Sequence, residues 1–211
     1  MIGILMLDTA FPRYLGDVGN PETFESPVKY AVVPGATPDA VVCGDVLPWV
    51  DAFIAAGQDL VAAGCTGLIT TCGFLTPLRD RVAQQTGVPV VSSALELIPA
   101  LITSGRRPGI LTISAKSLTE QHLVAADVPF DTPIQGVDGG HFATAILSNQ
   151  NVLRWDESEQ ELVVGARALV DATPNIDVIV LECTNMPPHA AAIASATGCE
   201  VVSILTAIET F

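Results

Sequence analysis

Leu68-Ile69-Thr70-Thr71-Cys72-Gly73-Phe74-Leu75-Thr76-Pro77 and Val178-Ile179-Val180-Leu181-Glu182-Cys183-Thr184-Asn185-Met186-Pro187-Pro188 are two versions of one passage. Each starts as a short apolar run, reaches a cysteine, and has a proline at the fifth position after it, Pro77 and Pro188. Thr86-Gly87 and Thr197-Gly198 each begin fourteen residues after the cysteine. Val90-Val91-Ser92 and Val201-Val202-Ser203 follow, with the serine twenty residues after the cysteine in both. Upstream, Gly3-Ile4-Leu5 matches Gly109-Ile110-Leu111. So many landmarks at matched spacing mark an internal duplication.

Outward from these passages, short apolar runs alternate with helical stretches. The pattern predicts strands over Ile2–Leu7, Leu68–Thr71, Pro89–Val91, Gly109–Ile113, Val178–Leu181 and Glu200–Val202. Helices are predicted over Pro48–Ala63, Leu75–Thr86, Ala94–Ser104, Lys116–Ala125, Glu157–Ala172, Pro188–Thr197 and Leu205–Thr210. This order implies an α/β fold: two similar, pseudo-symmetric parallel-sheet domains with the active site in the cleft between them. The first domain is expected to take residues 1–94 plus 204–211 and the second 95–203. Residues Phe11–Asp45, rich in Pro, Gly and charge, read as a long irregular segment of the functional kind.

Apolar residues are 49% of the chain and charged ones only 15%, so most of it must be buried and disorder is excluded. A net charge of −14 with nine Lys plus Arg leaves no phosphate-tracking surface, which excludes nucleic acid and repels anionic membranes. Met1–Leu7 is apolar but lacks a basic start and meets Asp8 at once, too short for a signal peptide or a membrane span; a cytoplasmic protein is expected. Five cysteines with no CxxC pair read as free thiols. Cys43, Cys65 and Cys199 are read as small core residues. His122 and His189 are read as helix-surface residues and His141 as a loop residue near the cleft; three isolated histidines give no metal site. Gly16, Gly19, Gly139 and Gly140 do not form a dinucleotide-binding turn. Lys29, Lys116 and Arg13 are candidates to offset a substrate's charge, with solvated surface positions as the default for all three.

Cys72 and Cys183 stand apart because the duplication puts both at the carboxyl end of a strand, the edge where parallel sheets bind ligands. Two-base racemisation needs a proton acceptor on one face of a carbon and a donor on the other. A thiol serves either way, and a helix start is expected to lower its pKa toward neutrality.

These residues resemble the aspartate/glutamate racemase superfamily, which includes aspartate, glutamate and hydantoin racemases, maleate cis–trans isomerases and arylmalonate decarboxylases. The likeness rests on Thr70-Thr71-Cys72-Gly73-Phe74, on Leu181-Glu182-Cys183-Thr184-Asn185-Met186-Pro187 and on the N-terminal Gly-Ile-Leu strand. It implies no cofactor, no metal, a homodimer and a small carboxylate or amino-acid-like substrate. Carried over by position, Cys72 and Cys183 are the acid/base pair. Asp8 and Thr9 fall beside the substrate, and Ser114, the repeat partner of Asp8, on the opposite wall. Thr71, Gly73, Phe74, Thr184 and Asn185 supply carboxylate contacts. Gly73-Phe74 replaces the Asn-Thr pair of glutamate racemases, and Glu182 precedes the second cysteine where aspartate racemases often show Cys-Thr-Glu. The presence of both cysteines weighs against decarboxylation. The expected activity is racemisation of an amino acid or related carboxylate, with hydantoin racemase or maleate isomerase as alternatives. A non-catalytic protein that closes its lobes on a small acid is the alternative from another class.

Overall fold

The computed structural model describes residues 1–208 of the 211-residue chain. One sheet contains β1 (Ile2–Leu7), β2 (Val28–Val33), β3 (Gly67–Thr70) and β4 (Val90–Val91), in the order β2-β1-β3-β4. The other contains β5 (Pro108–Thr112), β6 (Ile134–Gly136), β7 (Val178–Leu181) and β8 (Glu200–Val202), in the order β6-β5-β7-β8. Every pairing is parallel, and the two orders are the same. β3, β5 and β7 are buried at every position, as unbroken apolar runs must be when helices cover both faces.

The helices are α1 (Pro38–Val42), α2 (Val50–Ala62), α3 (Arg79–Thr86), α4 (Ile98–Thr103), α5 (Glu120–Ala125), α6 (His141–Leu147), α7 (Trp155–Ala172), α8 (Ala190–Thr197) and α9 (Ile204–Ile208). α2 packs on β1, β2 and α3, while α7 packs on β5, β6 and α8. The duplication reaches the caps: α3 ends at Gly87 and α8 at Gly198, both left-handed with φ 72°, a conformation that a Cβ would penalise. In α9, Ile204 and Ile208 pack with Ile4, Val18 and Ile69, which places this helix against the first sheet. The remainder of the helix expected over Leu205–Thr210 lies outside the described residues.

Two expectations are corrected. The segment Phe11–Asp45 is not irregular throughout, since it holds β2 and α1. β2 is an edge strand, half-buried along most of its length, so it carries no strong apolar period; α1 is announced only by a Thr37 cap and Pro38 in its first turn. β6 and α6 were likewise not foreseen. The helices after the cysteines also start later than expected. Pro77 and Pro188 lack the amide that an α-helical ladder needs, and 3-10 turns over Gly73–Leu78 and Pro187–His189 precede α3 and α8. Among the described residues, no helix is long and apolar enough to cross a membrane.

Candidate active site

Beyond the ends of β3 and β7 the ladder runs one residue further on each side. The Thr71 amide donates to the Leu5 carbonyl and the Glu182 amide to the Leu111 carbonyl, both at 3.0 Å. The chain then turns over each cysteine, with Leu75 N–H donating to Cys72 O at 3.2 Å and Met186 N–H to Cys183 O at 3.1 Å. In each turn the amide two residues on, Phe74 or Asn185, hydrogen-bonds the sulfur and favours its thiolate. The Thr184 hydroxyl donates to the Thr71 carbonyl at 2.6 Å and ties one turn to the other. Cys72 and Cys183 thereby line one small pocket. Each is 7% exposed.

Thr71, Gly73, Phe74, Thr184 and Asn185 all line this pocket. Asp8, Thr9 and Ser114 do not. The Asp8 carboxylate accepts from the Gly35 amide at 3.0 Å, and Ser114 donates to Asp138 at 2.7 Å. Thr9 stands one step back, its hydroxyl accepting from Arg13 at 3.0 Å. Arg13 is no solvated cation: it lines the pocket, lies 4.5 Å over the Phe11 ring and pairs with buried Asp17 at 2.9 Å. Asp17 also accepts from the Asn185 amide group at 2.6 Å, so a charged pair from the segment after β1 reaches the second cysteine turn. His122 and His189 are buried rather than on helix surfaces, the first against Phe74 and the second under Trp155. Cys43 is exposed rather than in the core.

A family model described as Asp/Glu/Hydantoin racemase matches residues 37–208. The chain belongs to this family. A dimethylsulfoniopropionate lyase from Durusdinium sp. clade D is 26% identical over 226 residues, an alignment that spans 100% of this chain and 73% of the lyase. Among solved structures, arylmalonate decarboxylase superposes with a TM-score of 0.61 at 17% identity, over 95% of this chain and 86% of its own. Glutamate racemase from Francisella tularensis subsp. tularensis in complex with D-glutamate gives 0.57 at 13%, over 95% and 74%. At such identities these structures share the fold.

The electrostatics of this racemase-family pocket differ from the expectation of thiols poised near neutrality. Burial pushes both thiols up, and the Glu182 carboxyl pushes both further. Glu182 is itself completely buried, and desolvation lifts its pKa from 4.5 to about 7, against a hydrogen bond from Thr112 that lowers it. The Thr112 hydroxyl donates to one carboxyl oxygen at 2.8 Å; the other has no partner. Gly73 accommodates this side chain, because a Cβ there would collide with the unpaired oxygen and stand 2.6 Å from the Glu182 carbonyl. Arg13 draws the Cys72 thiol down, whereas Asp17 pushes the Cys183 thiol up.

The charged residues of the pocket are Arg13, which sequence reasoning places in solvent by default, and Glu182, which it leaves without a role. For Glu182 a signal existed, since a carboxylate directly after an all-apolar strand is costly unless it is bonded or used. Among the described residues, no group of three or more His, Cys, Asp and Glu side chains is placed to hold a metal ion.

Proposed function

We propose that this chain is a cofactor-independent enzyme that removes and returns the proton on the carbon beside a carboxylate, racemising a small acid or amino-acid derivative with Cys72 and Cys183 as its acid/base pair. The observation that carries this reading is the delivery of two sulfurs, from equivalent turns of two equivalent sheets, to one buried pocket. One thiolate takes the proton from the near face, and the opposing thiol supplies one to the far face. Arg13 balances the substrate's negative charge in a chain that is otherwise strongly acidic. Apolar side chains such as Leu7, Ile113 and Ile146 enclose the rest and exclude water. The test is a panel of chiral 2-substituted carboxylates, amino acids and hydantoins incubated in deuterium oxide, with α-proton loss and optical rotation followed together. Exchange with racemisation that Cys72→Ser and Cys183→Ser each abolish is the expected result. Exchange that survives both changes would sink it.

A second reading has its own support in the likeness of this chain to 73% of a dimethylsulfoniopropionate lyase. Loss of the same α-proton from a substrate with a leaving group on the next carbon ends in β-elimination instead of inversion. Dimethyl sulfide in the headspace over dimethylsulfoniopropionate, with acrylate in solution, is the result that would favour elimination.

A further inference from the structure

Glu182 joins the two sulfurs more closely than the duplication requires. It precedes Cys183 in the chain, and its unpaired carboxyl oxygen lies against Gly73, the residue that follows Cys72. It lines the same pocket as both. The groups that face it are few. Thr112 of β5 binds its other oxygen. Ser93 flanks Gly73 and belongs to a loop whose Glu96 accepts from Ser92 and pairs with Arg79 at 3.5 Å. Beyond these stand the two thiols, with Arg13 acting on Cys72 and Asp17 on Cys183.

We infer that Glu182 is a positioning residue that holds a proton in common with Cys72 and Cys183, so that this cluster carries one negative charge at a time. The physical ground is its surroundings: two anions in one desolvated site repel strongly, and the second ionisation is postponed. The inference rests on the two-thiol reading for its use in catalysis. Inversion leaves the enzyme with the first sulfur protonated and the second ionised. The Glu182 carboxylic acid gives its proton to the second thiolate, and the carboxylate so formed takes one from the first thiol, which restores the starting state with one negative charge throughout and no net change at Glu182.

The test needs no substrate. Alkylation by iodoacetamide is followed at each cysteine by peptide mass spectrometry from about pH 5 to about pH 9, since only thiolate reacts. In the parent, the rates at Cys72 and Cys183 rise by about tenfold per pH unit at first, then slacken together as Glu182 ionises. Glu182→Gln removes the bend at both cysteines and makes both react faster than in the parent on the alkaline side. Thr112→Val, which takes away the hydrogen bond that favours the carboxylate, moves the bend to higher pH. A bend that survives Glu182→Gln, or that Thr112→Val leaves in place, overturns the inference; so does a change at one sulfur alone. Because alkylation is independent of turnover, loss of the bend in Glu182→Gln without any proton exchange by the parent would sink the racemase reading and leave the shared proton standing. Exchange with no bend would do the reverse.

Discussion

Thr71 and Glu182 occupy the same place in the two halves. Each is the last residue to bond the neighbouring strand, and each precedes a cysteine. Thr71 is neutral, and its hydroxyl accepts from the Leu7 amide at 3.1 Å. Glu182 is a buried acid with one oxygen bonded and the other bare. The turns that follow differ in the same sense: Gly73 and Phe74 add no polar side chain, whereas Thr184 bonds across to the first turn and Asn185 bonds Asp17. Duplication has thus preserved the scaffold, down to strand order and cap geometry, while the charges around the two sulfurs have diverged. A scaffold of this kind fixes where two thiols stand; unequal neighbours decide which of them ionises first.

The strongest way to break the comparison is to remove one sulfur at a time. If the halves act as opposed acid and base, Cys72→Ser and Cys183→Ser each lower racemisation by about 100- to 10,000-fold. Unequal losses in single-direction assays, one for each enantiomer, would sharpen it by naming the base for that direction. The next largest effect is on stability. Unfolded, Glu182 ionises near its ordinary 4.5, and folded it keeps its proton to about 7. Between these values the native state binds more protons than the unfolded one, so this residue's contribution falls as pH rises through the window and levels off above it. The cost to the parent above neutrality is on the order of 3 kcal/mol. Relative to the parent, Glu182→Gln therefore gains stability between acid and mildly alkaline urea melts, while Thr71→Val shows no such trend. A constant difference between Glu182→Gln and parent would contradict the burial of a protonated acid.

The sequence carried the symmetric part of this comparison and little of the asymmetric part. β3 and β7 were legible because a central parallel strand is buried on both faces, and Leu68-Ile69 and Val178-Ile179-Val180-Leu181 leave no other reading. The cysteines were legible because the duplication gave each a partner at matched spacing. β2 was not, because an edge strand needs little apolar surface and Val28–Val33 is half-buried along most of its length. The burial of Arg13 was illegible for a physical reason too. A cation in a Pro- and Gly-rich segment defaults to solvent, and only the fold shows Asp17 and Phe11 closing over it. Histidine burial was equally invisible, since it comes from Phe74 and Trp155, which are distant in sequence from His122 and His189.

Smaller effects test the joint between the halves. Thr184→Val keeps the shape of the side chain but leaves the buried Thr71 carbonyl without its donor, at a cost of about 1–3 kcal/mol. Because that bond has no counterpart in the other half, the loss should appear with kcat reduced at both sulfurs' faces. A stability change with unaltered kinetics would mean that the bond holds the fold but not the spacing of the pair.

The smallest effect concerns which sulfur is the easier to ionise. Arg13 favours the thiolate of Cys72, and Asp17 disfavours that of Cys183, while Glu182 opposes both. Cys72 is accordingly expected to alkylate faster than Cys183 in the parent. Arg13→Met alone would slow Cys72 and also leave Asp17 without its partner, so it mixes two causes. The double variant Arg13→Met/Asp17→Asn removes both charges, and the ratio of the two alkylation rates should then fall toward unity by a few-fold. Glu182 remains in place in that variant, so the shared bend in both pH profiles should persist while the gap between them closes. A gap that stays open would trace the inequality to the turns themselves, where the Asn185 side chain accepts from the Cys183 thiol at 3.6 Å and Phe74 offers the Cys72 thiol no such acceptor.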